Sequence, residues 1–298
     1  MTGHVPVLTA EVVQHLHPER GGVFLDCTVG LGGHSSALLA AGASRVIGLD
    51  RDLDALARAR ETLSPWLERV ELVHADFREF GPVLDRFGIS FVDGALADLG
   101  LSSLQLEEPG RGFSFQRDEP LDMRMDRSRG ETAADLVARS SERELADVIF
   151  RYGEERYSRR IARAIVQARR GSPVDTTGRL AALVRRVIPR RGAQRIDPAT
   201  RTFQALRIWV NHELEGLDRF LEAAASRLRS GARLVVITFH SLEDRIVKHT
   251  FRALERSDVV MRVLTRKPIV PTDEEVRSNP RARSAKLRAA ERVAQPRV

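Results

Sequence analysis

Short, nearly continuous apolar runs recur along the first hundred residues, most of them closed by a carboxylate. Val23-Phe24-Leu25-Asp26, Arg45-Val46-Ile47-Gly48-Leu49-Asp50, Val70-Glu71-Leu72-Val73-His74 and the run from Phe91 to Asp98 have the length and apolarity of strands buried on both faces. A helix over Leu53 to Leu63, with Asp52 as its cap, fits between the second and third. The alternation predicts an α/β chain with a Rossmann-like, doubly wound sheet. Strand five, Arg233 to Phe239, arrives only after a long interruption. From Thr132 that interruption reads mainly as helices: Tyr157, Ile161 and Ile165 recur at helical spacing, and Leu180, Leu183, Val184 and Val187 repeat the pattern after Thr176 and Thr177. The expected organisation is a core of residues 1–108 and 217–298 with a helical insertion at 109–216.

The link after the first strand carries the chemistry. Gly30, Gly32 and Gly33 allow backbone to pass close to a ligand, and the helix that follows offers unpaired N–H groups to ligand oxygens. Asp50 lies 24 positions after Asp26, a distance that suits one acidic acceptor for two ribose hydroxyls. The ligand expected is therefore adenosine-containing. A dinucleotide fingerprint counted from Gly30 requires glycine where Ser35 stands. Asp26, at the strand mouth, would repel a pyrophosphate but suits a cationic amino-acid group, which favours S-adenosylmethionine over a nicotinamide cofactor. Past the third strand, Asp76 and Phe77 either hold an adenine by its amino group and face, or are a capping carboxylate and a core ring.

Composition adds a partner class. The chain has 298 residues, 42% hydrophobic content, a net charge of +7 and a pI near 10.5. Of its 48 basic residues only Lys248, Lys267 and Lys286 are lysines. Arginine forks onto phosphates and stacks on bases, although solvated arginine faces account for the same excess. In the insertion Arg156, Arg159, Arg160, Arg163 and Arg170 favour faces other than the apolar one, and Arg185, Arg186, Arg190 and Arg191 cluster further on, which points to RNA contact. Cys27 is the lone cysteine, so no intrachain disulfide is expected, and the eight histidines lack paired ligand spacing, so no bound metal is expected. No apolar run reaches membrane-spanning length, and Met1 to Val7 lacks a basic region followed by a hydrophobic stretch. A cytoplasmic protein is expected.

The fourth strand runs into Asp98-Leu99-Gly100-Leu101-Ser102-Ser103-Leu104-Gln105. Arg111-Gly112-Phe113-Ser114-Phe115, Pro120-Leu121-Asp122-Met123-Arg124-Met125, Tyr152-Gly153-Glu154-Glu155, Pro198-Ala199-Thr200-Arg201-Thr202-Phe203-Gln204-Ala205, Phe239-His240-Ser241-Leu242-Glu243-Asp244-Arg245 and Asn279-Pro280-Arg281-Ala282-Arg283-Ser284 follow. Together these motifs closely resemble the bacterial 16S rRNA (cytosine-N4)-methyltransferases over almost the whole chain. Two positions depart from the family pattern: Asp197 stands in place of His, and Gly110 in place of Glu. The resemblance implies a class I methyltransferase core with a helical insertion, acting on a decoding-centre cytosine of a largely assembled small subunit. It implies that Gly32, Gly33 and His34 contact S-adenosylmethionine, that Asp50 takes the ribose, that Phe77 neighbours the adenine, and that Asp98 and Gln105 lie near the methionine end.

Cytosine N4 is a poor nucleophile, because its lone pair is delocalised into the ring, until acceptors hold its N–H groups. Asp98 or the Leu99 carbonyl, with Ser102 and Ser103, would serve in that way. Attack by an exocyclic nitrogen needs no covalent cysteine. Phe113 or Phe115 would receive the flipped base, unless both are core rings, and His240 and Ser241 would close the far wall, unless they form an ordinary strand-to-helix turn. Two rival functions share parts of the pattern: a non-catalytic S-adenosylmethionine-binding assembly factor of the ribosome, and a nicotinamide oxidoreductase.

Overall fold

A computed structural model describes residues 6–189, 197–256 and 261–294. The chain divides into two compact units, one built from the residues up to Ser102 together with those from Glu215, the other from Ser103 to Leu214. The changeover falls a few residues earlier than the 108/109 boundary read from the sequence, and gives the short helix Ser103–Glu107 to the inserted unit.

The first unit carries seven strands: β1 Val23–Asp26, β2 Arg45–Asp50, β3 Val70–His74, β4 Val92–Leu99, β5 Leu228–Thr238, β6 Met261–Val263 and β7 Lys286–Arg292. They form one sheet in the order β3-β2-β1-β4-β5-β7-β6, parallel through β5, with β7 and β6 antiparallel at the far edge. Because successive side chains on a strand point to opposite faces, β1 sends Leu25 to one side and Phe24 to the other. Leu25 joins Ile47, Leu49, Phe80, Phe220 and Phe251 in one core. Phe24 joins Val46, Leu38, Leu39, Leu16 and Leu287 in a second. A sheet covered on both faces explains why these strands read as unbroken apolar runs. The helix Leu53–Thr62 begins where Asp52 accepts from the N–H groups of Asp54 and Ala55.

Strand β1 ends level with Gly48 of β2 and Leu96 of β4. At Gly48 a Cβ would lie 2.4 Å from Val29 Cγ2, so the absence of a side chain lets the start of the glycine loop lie against β2. The Val29 N–H donates to the Leu49 carbonyl from there (2.9 Å).

Among its described residues the inserted unit packs five helices of seven residues or more: Ala133–Arg139, Glu142–Gly153, Ser158–Arg169, Thr177–Val187 and Thr200–Asn211. Thr132, Ser141 and Thr176 cap the first, second and fourth through their side chains. Its irregular first stretch is built around Arg111, which is 0% exposed and donates to the Met125 and Arg124 carbonyls (3.1 and 3.4 Å). Asn211 completes this knot, accepting from Met125 N–H and donating to the Met123 carbonyl, both at 2.7 Å. Among the described residues, no helix is long and apolar enough to cross a membrane.

Gly48→Ala should lower stability by about 1 to 3 kcal/mol through overpacking against Val29, read as a fall in the urea midpoint. A wild-type midpoint would show that the loop is not held by this close approach.

Candidate functional site

Asp26 ends β1 fully buried, at 0% exposure. One of its oxygens accepts from Ser35 Oγ (2.6 Å) and the other from Thr28 N–H (3.2 Å). The carboxylate thus spans the loop, tying its first turn to the helix Gly33–Ala40. Both Asp26 oxygens accept from the loop and the helix that follows, as a buried carboxylate without donors is costly. Burial pushes its pKa up, against the Ser35 and Thr28 hydrogen bonds.

Asp50, at the end of β2, holds the loop from the other side. Gly30 N–H donates to its Oδ2 (2.8 Å) and Asp52 N–H to its Oδ1 (2.9 Å). Part of the side chain stays accessible, yet desolvation by the surrounding protein outweighs those two N–H groups and raises its pKa to about 6. Gly30 and Gly32 sit at positive φ (54° and 84°), and Gly33 opens the helix where a Cβ would come within 2.6 Å of Pro6 Cγ.

The ring of His34, in the first turn of that helix, is buried with its Nε2 3.5 Å from Asp98 Oδ2 on β4. Thr28 Oγ1 accepts from Asp98 N–H (2.7 Å), fastening the end of β4 to the loop. Both ring nitrogens of His34 and Oδ1 of Asp98 are buried without a hydrogen bond among the described residues. Such atoms cost about 1 to 3 kcal/mol each when left unmade, and an imidazole beside a carboxylate suits the two ends of a zwitterion.

Phe77 is 5% exposed and meets Phe220 edge to face (4.7 Å between centroids), with the Arg78 guanidinium over its ring at 5.3 Å. Asp76 takes Arg78 in a fork (2.6 and 2.7 Å), lies 3.6 Å from Arg51 and forms a capping box with Glu79. Burial raises its pKa, but Arg78 and Arg51 outweigh it and hold the carboxyl below its ordinary value. Asp76 is thus a capping carboxylate, and Phe77 packs as a core ring against Phe220. The apolar surface of Phe220 drew the ring inward, and Phe220 is too far along the chain for local pattern to reveal it.

His240 and Ser241 likewise form a strand-to-helix turn. His240 Nδ1 accepts from Glu243 N–H (3.4 Å), and Glu243 Oε2 accepts from Phe239 N–H (2.9 Å), capping the helix Ser241–Leu254. Ser102 ends the first unit half-buried, while Ser103 and Gln105 are buried in the short helix of the inserted unit.

Within the inserted unit Phe113 is a core ring. Phe115 is half-buried, edge to face with Phe203 (4.8 Å) and covered by the Arg185 guanidinium (5.5 Å). Arg185 also forks onto Asp197 (2.8 and 3.0 Å), which accepts from Ala199 N–H (2.8 Å). Burial raises the Asp197 pKa, but these donors prevail and lower it. The departure from histidine thus sits in an ion pair that also fixes the turn before Thr200. Gly110, the other departure, adopts φ 82° and donates its N–H to Glu119 Oε2 (2.9 Å). Arg159, Arg160 and Arg163 are exposed on the helix whose opposite face buries Ile161, Ala162 and Ile165. Arg163 meets Glu142 at 3.3 Å, and Arg160 lies 5.8 Å from the Tyr157 ring. Arg190 and Arg191 lie outside the described residues.

The profile of the MraW methylase family matches residues 1–293. A protein of a Cyanothece species named ribosomal RNA small subunit methyltransferase H is 54% identical over 97% of this chain and 95% of its own. One of the same name from Sorangium cellulosum is also 54% identical, over 97% and 91%. Among solved structures, an rRNA methylase from Streptococcus thermophilus aligns over 96% of this chain and 94% of that one, at 13% identity and a TM-score of 0.42.

Ser35→Ala removes the hydroxyl donor of Asp26 and should cost about 1 to 3 kcal/mol near pH 8. Because burial raises the folded-state pKa of Asp26 above its unfolded value, the penalty for a charged Asp26 is present above that raised pKa and fades as pH falls through it. The Ser35→Ala loss should therefore shrink on acidification. Denaturant titrations giving a pH-independent difference would deny the Ser35–Asp26 bond this role.

Proposed function

Because the chain belongs to the MraW methylase family, we propose that it moves the methyl group of S-adenosylmethionine to the exocyclic N4 of a cytosine in 16S rRNA. The target lies in the decoding, P-site region of the small ribosomal subunit, and the protein acts in the cytoplasm. Relatives named as small-subunit rRNA methyltransferases over the whole chain support the substrate, and the motifs from Asp98 to Gln105 support the position of transfer. The observation that carries the cofactor is the unmatched pair at the mouth. His34 and Asp98 leave buried polar atoms without partners among the described residues, beside a glycine loop held by Asp50.

The residues fit that cofactor. Asp50 would accept from the ribose hydroxyls, the Gly30 to His34 segment would line the adenosine-to-methionine stretch, and Asp98, His34 and Gln105 would meet the methionine end. When bound, the sulfonium supplies an electrophilic methyl group. The chain's own task is to prepare N4. An acceptor at Asp98 or at the Leu99 carbonyl, with Ser102 and Ser103, draws on the amino protons so that the nitrogen becomes pyramidal and its lone pair faces the methyl group. As N4 takes the methyl group that the sulfonium would supply, it would give up one proton toward that acceptor. Cys27 takes no part: it is buried behind the loop, and burial raises its thiol pKa well above the ordinary value. The exposed Arg159, Arg160 and Arg163 face of the inserted unit would grip RNA phosphates.

Small subunits from a strain lacking this protein should gain N4-methylcytidine when incubated with the purified protein and S-adenosylmethionine, read by nucleoside mass spectrometry. Binding of cofactor and subunit without that product would instead identify a non-catalytic assembly factor. Cofactor affinity should also depend on pH. With its pKa near 6 in the free protein, Asp50 is protonated below that value and ionised above it. The carboxylate is the better acceptor for ribose hydroxyls, so affinity should rise as pH climbs through 6 and then level off. Asp50→Ala should weaken binding by about 1 to 3 kcal/mol and flatten this dependence in calorimetry. Unchanged affinity in a folded Asp50→Ala protein would take Asp50 out of the site.

A further inference from the structure

On the far side of the sheet from β2 and β3, the helix Ser241–Leu254 and the β6–β7 edge enclose a cavity of about 220 Å³. Among the described residues its lining brings four cations, Lys248, Arg252, Arg266 and Arg288, together with one carboxylate, Glu255. Lys248 and Arg252 stand one helical turn apart on the same face, where like charges repel unless something neutralises them. Arg288 is buried and held by Asp244 (2.6 Å), so one charge of the set is fixed in place. Among the described residues Lys248, Arg252 and Arg266 have no ion pair or hydrogen bond. Thr265 accepts from Ala289 N–H (2.9 Å), which leaves its hydroxyl proton to donate into the cavity. Glu255 is engaged by Val263 N–H (3.1 Å).

We propose that this cavity binds a backbone phosphodiester of the RNA substrate, as a second grip on the core unit remote from the methyl-transfer mouth. The proposal rests on the rRNA reading given above. Three adjustable cations around one fixed guanidinium and a hydroxyl donor make an anion site. Among the described residues the lining's one aromatic ring, Phe251, is buried beneath it and offers no exposed platform for a base, so the site recognises sugar–phosphate without regard to sequence. A phosphate grip here also explains why this helix and the segment after β6 carry cations unpaired among the described residues, while many arginines elsewhere are engaged by carboxylates or carbonyls of the protein.

The test replaces Lys248, Arg252 and Arg266 together by Gln, all three at the surface of the unit. Subunit affinity at about 0.1 M salt should fall roughly tenfold or more. The slope of log affinity against log salt should flatten by about one for each phosphate no longer neutralised. KM for subunits should rise while kcat and S-adenosylmethionine affinity stay near wild type. Glu255→Gln keeps an acceptor for Val263 and removes a carboxylate from the lining, so it should tighten subunit binding, a direction that general damage to the fold does not produce. Parallel salt lines with equal intercepts for wild type and the triple variant would overturn the proposal. So would a triple variant that loses a thermal shift given by inorganic phosphate yet keeps full subunit affinity, since the site would then serve a free anion. Wild-type protein that binds subunits with this salt dependence but transfers no methyl group would refute the proposed reaction and leave the phosphate site supported.

Discussion

Two carboxylates at the ends of neighbouring strands hold backbone and hydroxyl groups of the protein itself, and the geometry of the mouth depends on them. Asp26 draws Thr28 and Ser35 inward from below, and Asp50 draws Gly30 and Asp52 from the side. Between these anchors a loop with two residues at positive φ has little freedom left. Thr28 passes the constraint on by receiving the Asp98 N–H, which sets the end of β4. The imidazole and carboxylate whose buried atoms lack hydrogen bonds among the described residues are therefore held in place before any ligand arrives, which lowers the ordering cost of binding.

The sheet was largely legible because parallel strands announce themselves. β1, β2 and β3 match the apolar runs, and β4 is displaced by one residue, to Val92–Leu99. Strand β7 was not legible. Lys286-Leu287-Arg288-Ala289-Ala290-Glu291-Arg292 is rich in helix-favouring residues, and it becomes a strand because β5 and β6 pair with it on both sides. Arg233 and Arg262 both meet Glu291 across those pairs (2.9 and 2.7 Å), so the charges that suggest a solvated helix are cross-strand partners. At the candidate site, the spacing of Asp26, the glycines and Asp50 made their grouping legible, because those contacts lie within one strand–loop–strand unit. The spatial pairing of His34 with Asp98 and the inward turn of Phe77 are set by long-range packing that no local pattern records.

The arginine excess also looks different once placed. Arg69 donates to the carbonyls of Leu39, Ala43 and Ser44, and Arg292 to those of Ala225, Ser226 and Leu228. Arg111 does the same inside the inserted unit. A planar fork with five donors closes loop and strand ends in a way a lysine ammonium does not. Part of the basic composition is thus mortar, and net charge alone overstates how much of it faces a polyanion.

Strands β4 and β5 are neighbours in the sheet, yet the whole of residues 103–214 is made between them. During synthesis β4 therefore leaves the translating ribosome with one edge unpaired, and its partner follows on the order of ten seconds later at ordinary elongation rates. The inserted unit, continuous in sequence, can reach its fold in that interval while four strands wait with an open border. Such a border is a template for wrong pairing, so the nascent chain is at its most vulnerable to aggregation while β5 is still inside the exit tunnel.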